Sequence, residues 1–193
     1  MAYTPRILAF AGSTRIDSFN KKLVKVAAAG ARAAGAEVTL VDLRQLPMPF
    51  FDGDLEHAEG IPTHARTFKE LLRSHHGLLI ASPEYNSAIS GVLKNAIDWA
   101  SRSAPGEPSL ACFTGKVASI MSASPGALGG LRGLVHLRMM LGNIHVLVLP
   151  AQVAVPRAHE AFNVDGALKD AKQHSAIEQS GRDLAAILIK LNS

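Results

Sequence analysis

The sequence predicts an α/β fold, a three-layer doubly wound sheet of five strands, and three observations carry that prediction. Short apolar runs of strand length recur along the chain, each is followed by apolar residues at helical spacing, and polar loops join strand ends to helices. The first run is Arg6–Ala11, and Leu23, Val26, Ala27 and Ala31 then mark a helix over residues 18–34. A second strand at residues 37–41 completes the βαβ rhythm of a parallel sheet. A Pro-rich loop at 46–54 and a weaker helix at 62–74 lead to the apolar run Gly77–Ala81. Pro83 cannot donate to a ladder, so pairing is expected to stop there. Beyond it Ile89, Val92, Leu93, Ala96, Ile97 and Ala100 form one apolar helix face, with Lys94, Asn95 and Asp98 off it. A turn-rich connection at 101–115, with Pro105, Gly106 and Pro108, precedes a strand at 117–121, a helix at 128–141 and a strand at 145–149. Residues 152–166 read as irregular, and a last helix carries Ile177, Leu184, Ile187, Leu188 and Leu191 on one face.

A chain of 193 residues, 48% apolar with mean hydropathy +0.15, is long enough for one globular domain over residues 1–193 with an ample core. No repeat, low-complexity tract or linker divides it. No apolar run approaches the roughly 18 residues that span a bilayer, and the first residues lead into a strand rather than a signal peptide, so a cytoplasmic protein without a membrane partner is expected. The single cysteine, Cys112, excludes an internal disulfide and reads as a free thiol in or near a loop. A net charge of +4 and a pI near 9.4 suit either nucleic acid or an anionic small molecule. The basic residues are scattered, with no run longer than Lys21-Lys22 and no aromatics interleaved, which argues against nucleic acid. The eight histidines form no H-E-x-x-H or paired Cys/His pattern, and the side chains of adjacent His75 and His76 should diverge, so no metal site is expected. Asp98 and Arg102 stand one helical turn apart, at pairing distance for a solvated ion pair.

Three loops carry chemistry. The first strand ends in Gly12-Ser-Thr-Arg-Ile-Asp-Ser-Phe-Asn20, a phosphate cradle by its donors. Gly12 permits a tight turn close to a ligand, Ser13, Thr14 and Ser18 offer hydroxyls, Arg15 offers a guanidinium fork, and the helix start offers free N–H groups. The competing explanation is that Asp17 or Ser18 only caps the helix. The turn lacks the Gly-Lys pair of a P-loop and two of the three glycines of a dinucleotide fingerprint, and Phe10, Ala11 and Gly12 stand where a receiver domain needs acids. The second loop holds Glu84, Tyr85 and Asn86, which apolar packing does not explain. The third runs over residues 122–130, where Gly126, Gly129 and Gly130 permit close approach to a ligand. Its competing explanation is a Pro125-Gly126 turn followed by glycines that let a helix approach the sheet.

Gly12-Ser-Thr-Arg-x-x-Ser-x-Asn20, Pro83-Glu-Tyr-Asn86 and Leu93-Lys-Asn-Ala-Ile-Asp98 together resemble the NAD(P)H-dependent FMN reductase family of the flavodoxin-like superfamily. Leu46-Pro47, Phe50-Phe51-Asp-Gly-Asp-Leu-Glu56, Ser124-Pro-Gly-Ala-Leu-Gly-Gly130 and His136-Leu-Arg138 are similar to its later segments. The resemblance implies a flavodoxin-like sheet of five parallel strands in the order 2-1-3-4-5, with FMN as cofactor and NADPH or NADH as electron donor. Ser13, Arg15, Ser18 and Asn20 would hold the FMN phosphate, in the turn that includes Gly12 and Thr14. Pro83, Glu84, Tyr85 and Asn86 would line the isoalloxazine ring, and the loop with Ser122, Ser124 and Gly126 would lie beside it. The acceptor implied is a quinone, flavin, chromate or azo compound, reduced by a ping-pong scheme in which the cofactor carries the chemistry and no catalytic side chain is needed. A homodimer or homotetramer is implied, with His136 near a subunit contact. The alternatives are a flavodoxin-type electron carrier, whose usual acidic surface this basic chain does not match, and a flavin-binding regulatory module.

Overall fold

Strands buried on both faces should be mostly apolar, and the three central strands of the computed structural model are, with Arg6 at the start of the first and the buried Ser119 and Ser122 in the last as exceptions. The structure describes residues 3–192; residues 1, 2 and 193, which fall within the expected single domain, lie outside the described residues. Strands β1 (Arg6–Ala11), β3 (Gly77–Ala81) and β6 (Val117–Ala123) are buried along almost their whole length, while the edge strands β2 (Glu37–Asp42) and β7 (Leu147–Val155) are partly exposed. All five pair in parallel in the order β2-β1-β3-β6-β7. Counting the strands of this sheet alone, that is the 2-1-3-4-5 order implied by the resemblance.

Side chains alternate between two cores. Ile7, Ala9 and Leu79 face helices α1 (Phe19–Ala33) and α7 (Ala171–Asn192), while Leu8, Phe10, Leu78 and Ile80 face the layer of α3 (Thr63–Ser74), α4 (Gly91–Ser101) and α5 (Leu131–Asn143). Short helices α2 (Gly53–Glu59) and α6 (Ala158–Ala161) lie in the connections. Helices α1 and α7 approach so closely that a Cβ on Gly30 would stand 2.0 Å from the Glu178 carbonyl oxygen, and one on Gly181 would stand 1.9 Å from that of Ala27.

Several elements differ from the sequence reading. The expected irregular segment begins inside β7, whose pairing with β6 skips from Ala118↔Val148 to Ile120↔Gln152. Pro150 lies in that bulge, where an edge strand tolerates its missing N–H, and its presence disguised one bent strand as a strand and a loop. The second polar loop contains a two-residue hairpin, β4 (Glu84–Tyr85) and β5 (Ala88–Ile89), turned by Asn86 and Ser87 at φ of 51° and 66°. Asp98 pairs with Lys94 at 2.7 Å and Arg102 with Glu56 at 2.8 Å, so the expected Asp98–Arg102 pair does not form. Cys112 is buried, and that burial raises its thiol pKa. Among the described residues, no helix is long and apolar enough to cross a membrane.

The α1–α7 contact is backbone against backbone, so no side chain can rotate away to admit a methyl group. Gly181→Ala is expected to cost about 3 kcal/mol in urea unfolding. Gly53→Ala, at a helix start with open space around it, should stay within about 0.5 kcal/mol of the parent.

Candidate functional site

Parallel pairing levels the carboxyl ends of the central strands: Ala11 sits beside Ala81, and Ala81 beside Met121. The loops that follow β1, β3 and β6 therefore emerge together at one edge, the place where open α/β sheets bind ligands. Side chains from distant parts of the chain then pin them to one another. The Gly12 N–H donates to the Ala81 carbonyl at 2.9 Å, and the Gly12 carbonyl accepts from the Ser90 hydroxyl at 2.6 Å. The same Ser90 oxygen accepts from the Leu93 N–H and caps α4, which ties the first loop to the start of that helix. A Cβ at position 12 would stand 2.8 Å from the Cβ of Leu93, so the glycine is required by this close approach. Asn20, buried near the start of α1, donates from Nδ2 to the Ala123 carbonyl at 2.8 Å and accepts the Ala123 N–H on Oδ1 at 2.9 Å.

Between the pinned loops lies a cleft of about 70 Å³. Ser13, Arg15, Ser18 and Asn20 reach it from the first loop, Pro83, Glu84 and Tyr85 from the second, and Ser124 from the third. The volume suits a phosphate group; a tricyclic ring must lie over the rim, where Tyr85 is 52% exposed. The donors fit a phosphate. Ser18 occupies the N-cap position of α1 but its side chain makes no capping bond, and the first turn holds no acid. Asp17 instead pairs with Lys22 at 2.6 Å, so neither residue neutralises the helix end and the plain-cap explanation does not hold. The Arg15 guanidinium lies 5.9 Å from the centre of the Phe19 ring, with no carboxylate at ion-pair distance among the described residues. Phe19 stacks in turn on Phe162. A cleft rich in donors and free of unpaired acids is chemically matched to an anion, and the residues present fit the phosphate of FMN.

The remaining sequence-predicted residues lie outside the cleft. Thr14 lines a separate cleft of about 350 Å³ beside Leu43, Pro47, Met48 and Val92, and its carbonyl accepts from Arg44. Asn86 forms the hairpin turn and does not cap α4. Ser122 is wholly buried with no hydrogen-bond partner for its hydroxyl, and a Cβ on Gly130 would collide with that oxygen at 1.9 Å. Gly130, at φ 92°, thus lets α5 approach the sheet, in line with the competing explanation for this glycine. Around Gly126 there is room: an added Cβ would come no nearer than 3.8 Å to the Ser124 hydroxyl.

Glu84 touches the cleft, yet its carboxylate is committed to α5. It accepts from the backbone N–H of Arg132 at 3.0 Å and of Gly133 at 3.2 Å, and pairs with the Arg132 guanidinium at 2.7 Å. Burial works to raise the Glu84 pKa, but the Arg132 guanidinium and the two N–H groups outweigh it and hold the carboxyl below its ordinary value. This strap fixes the hairpin against α5. Ser90, Arg132 and Phe19 were not singled out from sequence. Ser90 had a readable signal, a serine just before an apolar-periodic helix, whereas nothing in the sequence links Arg132 to a glutamate 48 residues away.

A carboxyl with a depressed folded-state pKa contributes stability that is full above its unfolded value and lost as pH falls through the folded one. Glu84→Gln should therefore cost about 1 kcal/mol near neutral pH. It should also flatten the loss of stability below about pH 4, as read from unfolding midpoints across an acid titration.

Comparison with known proteins places the chain in a family. The family model described as NADPH-dependent FMN reductase matches residues 5–160. An NAD(P)H-dependent FMN reductase of Pseudomonas aeruginosa is 38% identical over 176 residues, covering 90% of each chain. A quinone reductase of Escherichia coli K12 is 33% identical over 144 residues, covering 75% of this chain and 73% of that one. Among solved structures, the flavoenzyme NAD(P)H:(acceptor) oxidoreductase of Paracoccus denitrificans superposes with a TM-score of 0.77 at 26% identity, covering 95% of this chain and 98% of that one. With the family model spanning most of the chain and its loops meeting at one sheet edge, this protein belongs to the NADPH-dependent FMN reductase family.

Proposed function

We propose that the protein is an FMN-dependent oxidoreductase that draws electrons from NADPH or NADH and passes them to small acceptors, with quinones as the first class. The observation that carries the reading is the uncapped amino end of α1 beside an Arg15 that makes no ion pair at contact distance among the described residues, both facing a cleft between pinned loops. FMN held in this cleft would supply the redox chemistry between the nicotinamide donor and the acceptor, which would use the same site in turn in a ping-pong scheme.

The chain's own residues bind and orient. Ser13, Ser18, Arg15 and the first-turn N–H groups of α1 hold the phosphate, and Asn20 sets the position of that helix against β6. Pro83 and Tyr85 offer a surface for the ring, and the Glu84 strap keeps their hairpin in place. Glu84 itself is ionised near neutral pH and bound to α5, so it serves as an anchor and not as a proton donor. The positive end of α1 and Arg15 favour the negative charge that a reduced flavin carries.

Quinones are favoured because relatives named quinone reductases match most of the chain; flavin, chromate and azo compounds are further flat or oxidising acceptors within the same reading. The reading extends to a single cytoplasmic domain over residues 1–193 that works as a homodimer or homotetramer. Leu131, Val135 and Met139, exposed along one side of α5 and apolar, support self-association. A net charge of +4 counts against an electron carrier that docks through an acidic face.

The purified protein should bind FMN and show a flavin spectrum that bleaches on anaerobic addition of NADPH or NADH and recovers on addition of a quinone. Arg15→Ala should weaken FMN affinity about 10-fold or more, by loss of a charge-assisted contact, while Tyr85→Phe changes it by less than about 3-fold. A protein that neither binds FMN nor oxidises a nicotinamide would overturn the reading, and equal affinities in both variants would overturn the phosphate assignment.

A further inference from the structure

The register that levels the carboxyl ends of the strands also levels their amino ends. Ile7 pairs with Gly77, and Gly77 with Val117, so Arg6, His76 and Lys116, one residue earlier on each strand, enter the sheet side by side. The result is a cluster of basic residues at the pole opposite the cofactor cleft, beside a further cleft of about 400 Å³. Tyr3, Arg73, His75, His76, Thr114 and Lys116 line it, and no Asp or Glu does so among the described residues.

The hydrogen-bond inventory leaves donors aimed at this cleft. Lys116 is 7% exposed; its ammonium donates to the His75 carbonyl at 2.5 Å, and no carboxylate lies at ion-pair distance among the described residues. An ammonium has three N–H donors, so two are without a protein acceptor. The Nδ1 of His76 accepts the Arg6 backbone N–H at 3.2 Å and the Tyr3 hydroxyl at 2.8 Å. A backbone N–H can only donate, so that bond network puts the ring proton on Nε2, which has no partner. His75 is different: Nδ1 bonds the Leu71 carbonyl and Nε2 the Thr39 hydroxyl, so its ring is fully engaged. Arg73, at the mouth, shares Glu107 at 3.3 Å with Lys69, which holds the same carboxylate at 2.7 Å. Burial, then Arg6, Lys116 and His75, lower the His76 pKa, and burial lowers that of Lys116, with the nearby Cys112 thiol acting the other way and Arg6 adding to the lowering. A buried cation without a counter-ion is costly, and a bound anion relieves both the desolvation and the mutual repulsion.

We propose that this cleft binds a tetrahedral oxyanion, either inorganic phosphate or the phosphate of a small phosphomonoester, through the Lys116 ammonium, the His76 Nε2–H and the Arg73 guanidinium. The site is independent of the cofactor cleft, and the volume leaves room for a short organic substituent.

The test uses the full chain saturated with FMN, so that the first-loop cradle is filled, and titrates inorganic phosphate or glycerol phosphate against sodium chloride at matched ionic strength. Phosphate should raise the thermal midpoint saturably where chloride does not, and should shift the His76 ring resonances before those of the other histidines. Lys116→Met should weaken the phosphate response about 10-fold or more, while Arg15→Ala should leave it intact. A stronger response to glycerol phosphate would assign the phosphomonoester, and a stronger response to phosphate the free ion. A response equal to that of chloride, or one abolished by Arg15→Ala but not by Lys116→Met, would overturn the proposal. Should Lys116→Met fail to fold, an unperturbed His76 in the parent protein at saturating phosphate would overturn it as well.

Discussion

Everything in this molecule that faces a ligand depends on the level register of β1, β3 and β6. Parallel strands started in step end in step, and the chain must then return across a helix each time, so every strand contributes one loop to the carboxyl edge and one entry to the amino edge. At the carboxyl edge this gathers hydroxyls, a guanidinium and an open helix end. At the amino edge it gathers Arg6, His76 and Lys116. A one-residue slip in any central pair would transpose the apolar faces of the strand and misalign both edges at once, so burial of the cores enforces the geometry of the sites.

Loops emerging at one edge still need to be held, and side chains do this from far along the chain. Asn20 bridges the backbone of Ala123, Ser90 holds the Gly12 carbonyl while capping α4, and Glu84 ties the β4–β5 hairpin to the start of α5. Each is largely shielded from water, where a hydrogen bond to the backbone is worth more and its loss leaves an unsatisfied partner. The cleft is therefore shaped before a ligand arrives, and the residues that shape it differ from those left free to bind. Arg15 and Ser18 make no such bridge among the described residues.

Charge is distributed with the same logic. The acids near the carboxyl-edge cleft are neutralised by neighbours, Asp17 by Lys22 and Glu84 by Arg132, so they do not repel an anion. On the far side of the sheet Glu107 is held by Lys69 at 2.7 Å, with both side chains nearly buried. Arg15 and Lys116, which make no ion pair among the described residues, line clefts at opposite ends of the sheet.

Apolar periodicity and turn residues determined the order of strands and helices, because a strand buried on both faces and a helix buried on one leave patterns that a single sequence displays: Gly77–Ala81 and the face from Ile89 to Ala100 were legible in this way. The donor-rich turn from Gly12 to Asn20 was legible too, since its residue types point to an anion before any coordinates exist. The bent continuation of β7 past Pro150 was not, because local sequence cannot say that an edge strand will absorb a proline in a bulge. Only the tertiary structure decided which polar residues brace the loops. Asn20 and Glu84 line the cleft and also bond to backbone 103 and 48 residues away, and the cluster of Arg6, His76 and Lys116 exists only through strand register. The reason is one of range: periodicity and turn chemistry are local, whereas hydrogen-bond satisfaction and electrostatics are fixed by neighbours that the folded chain brings together.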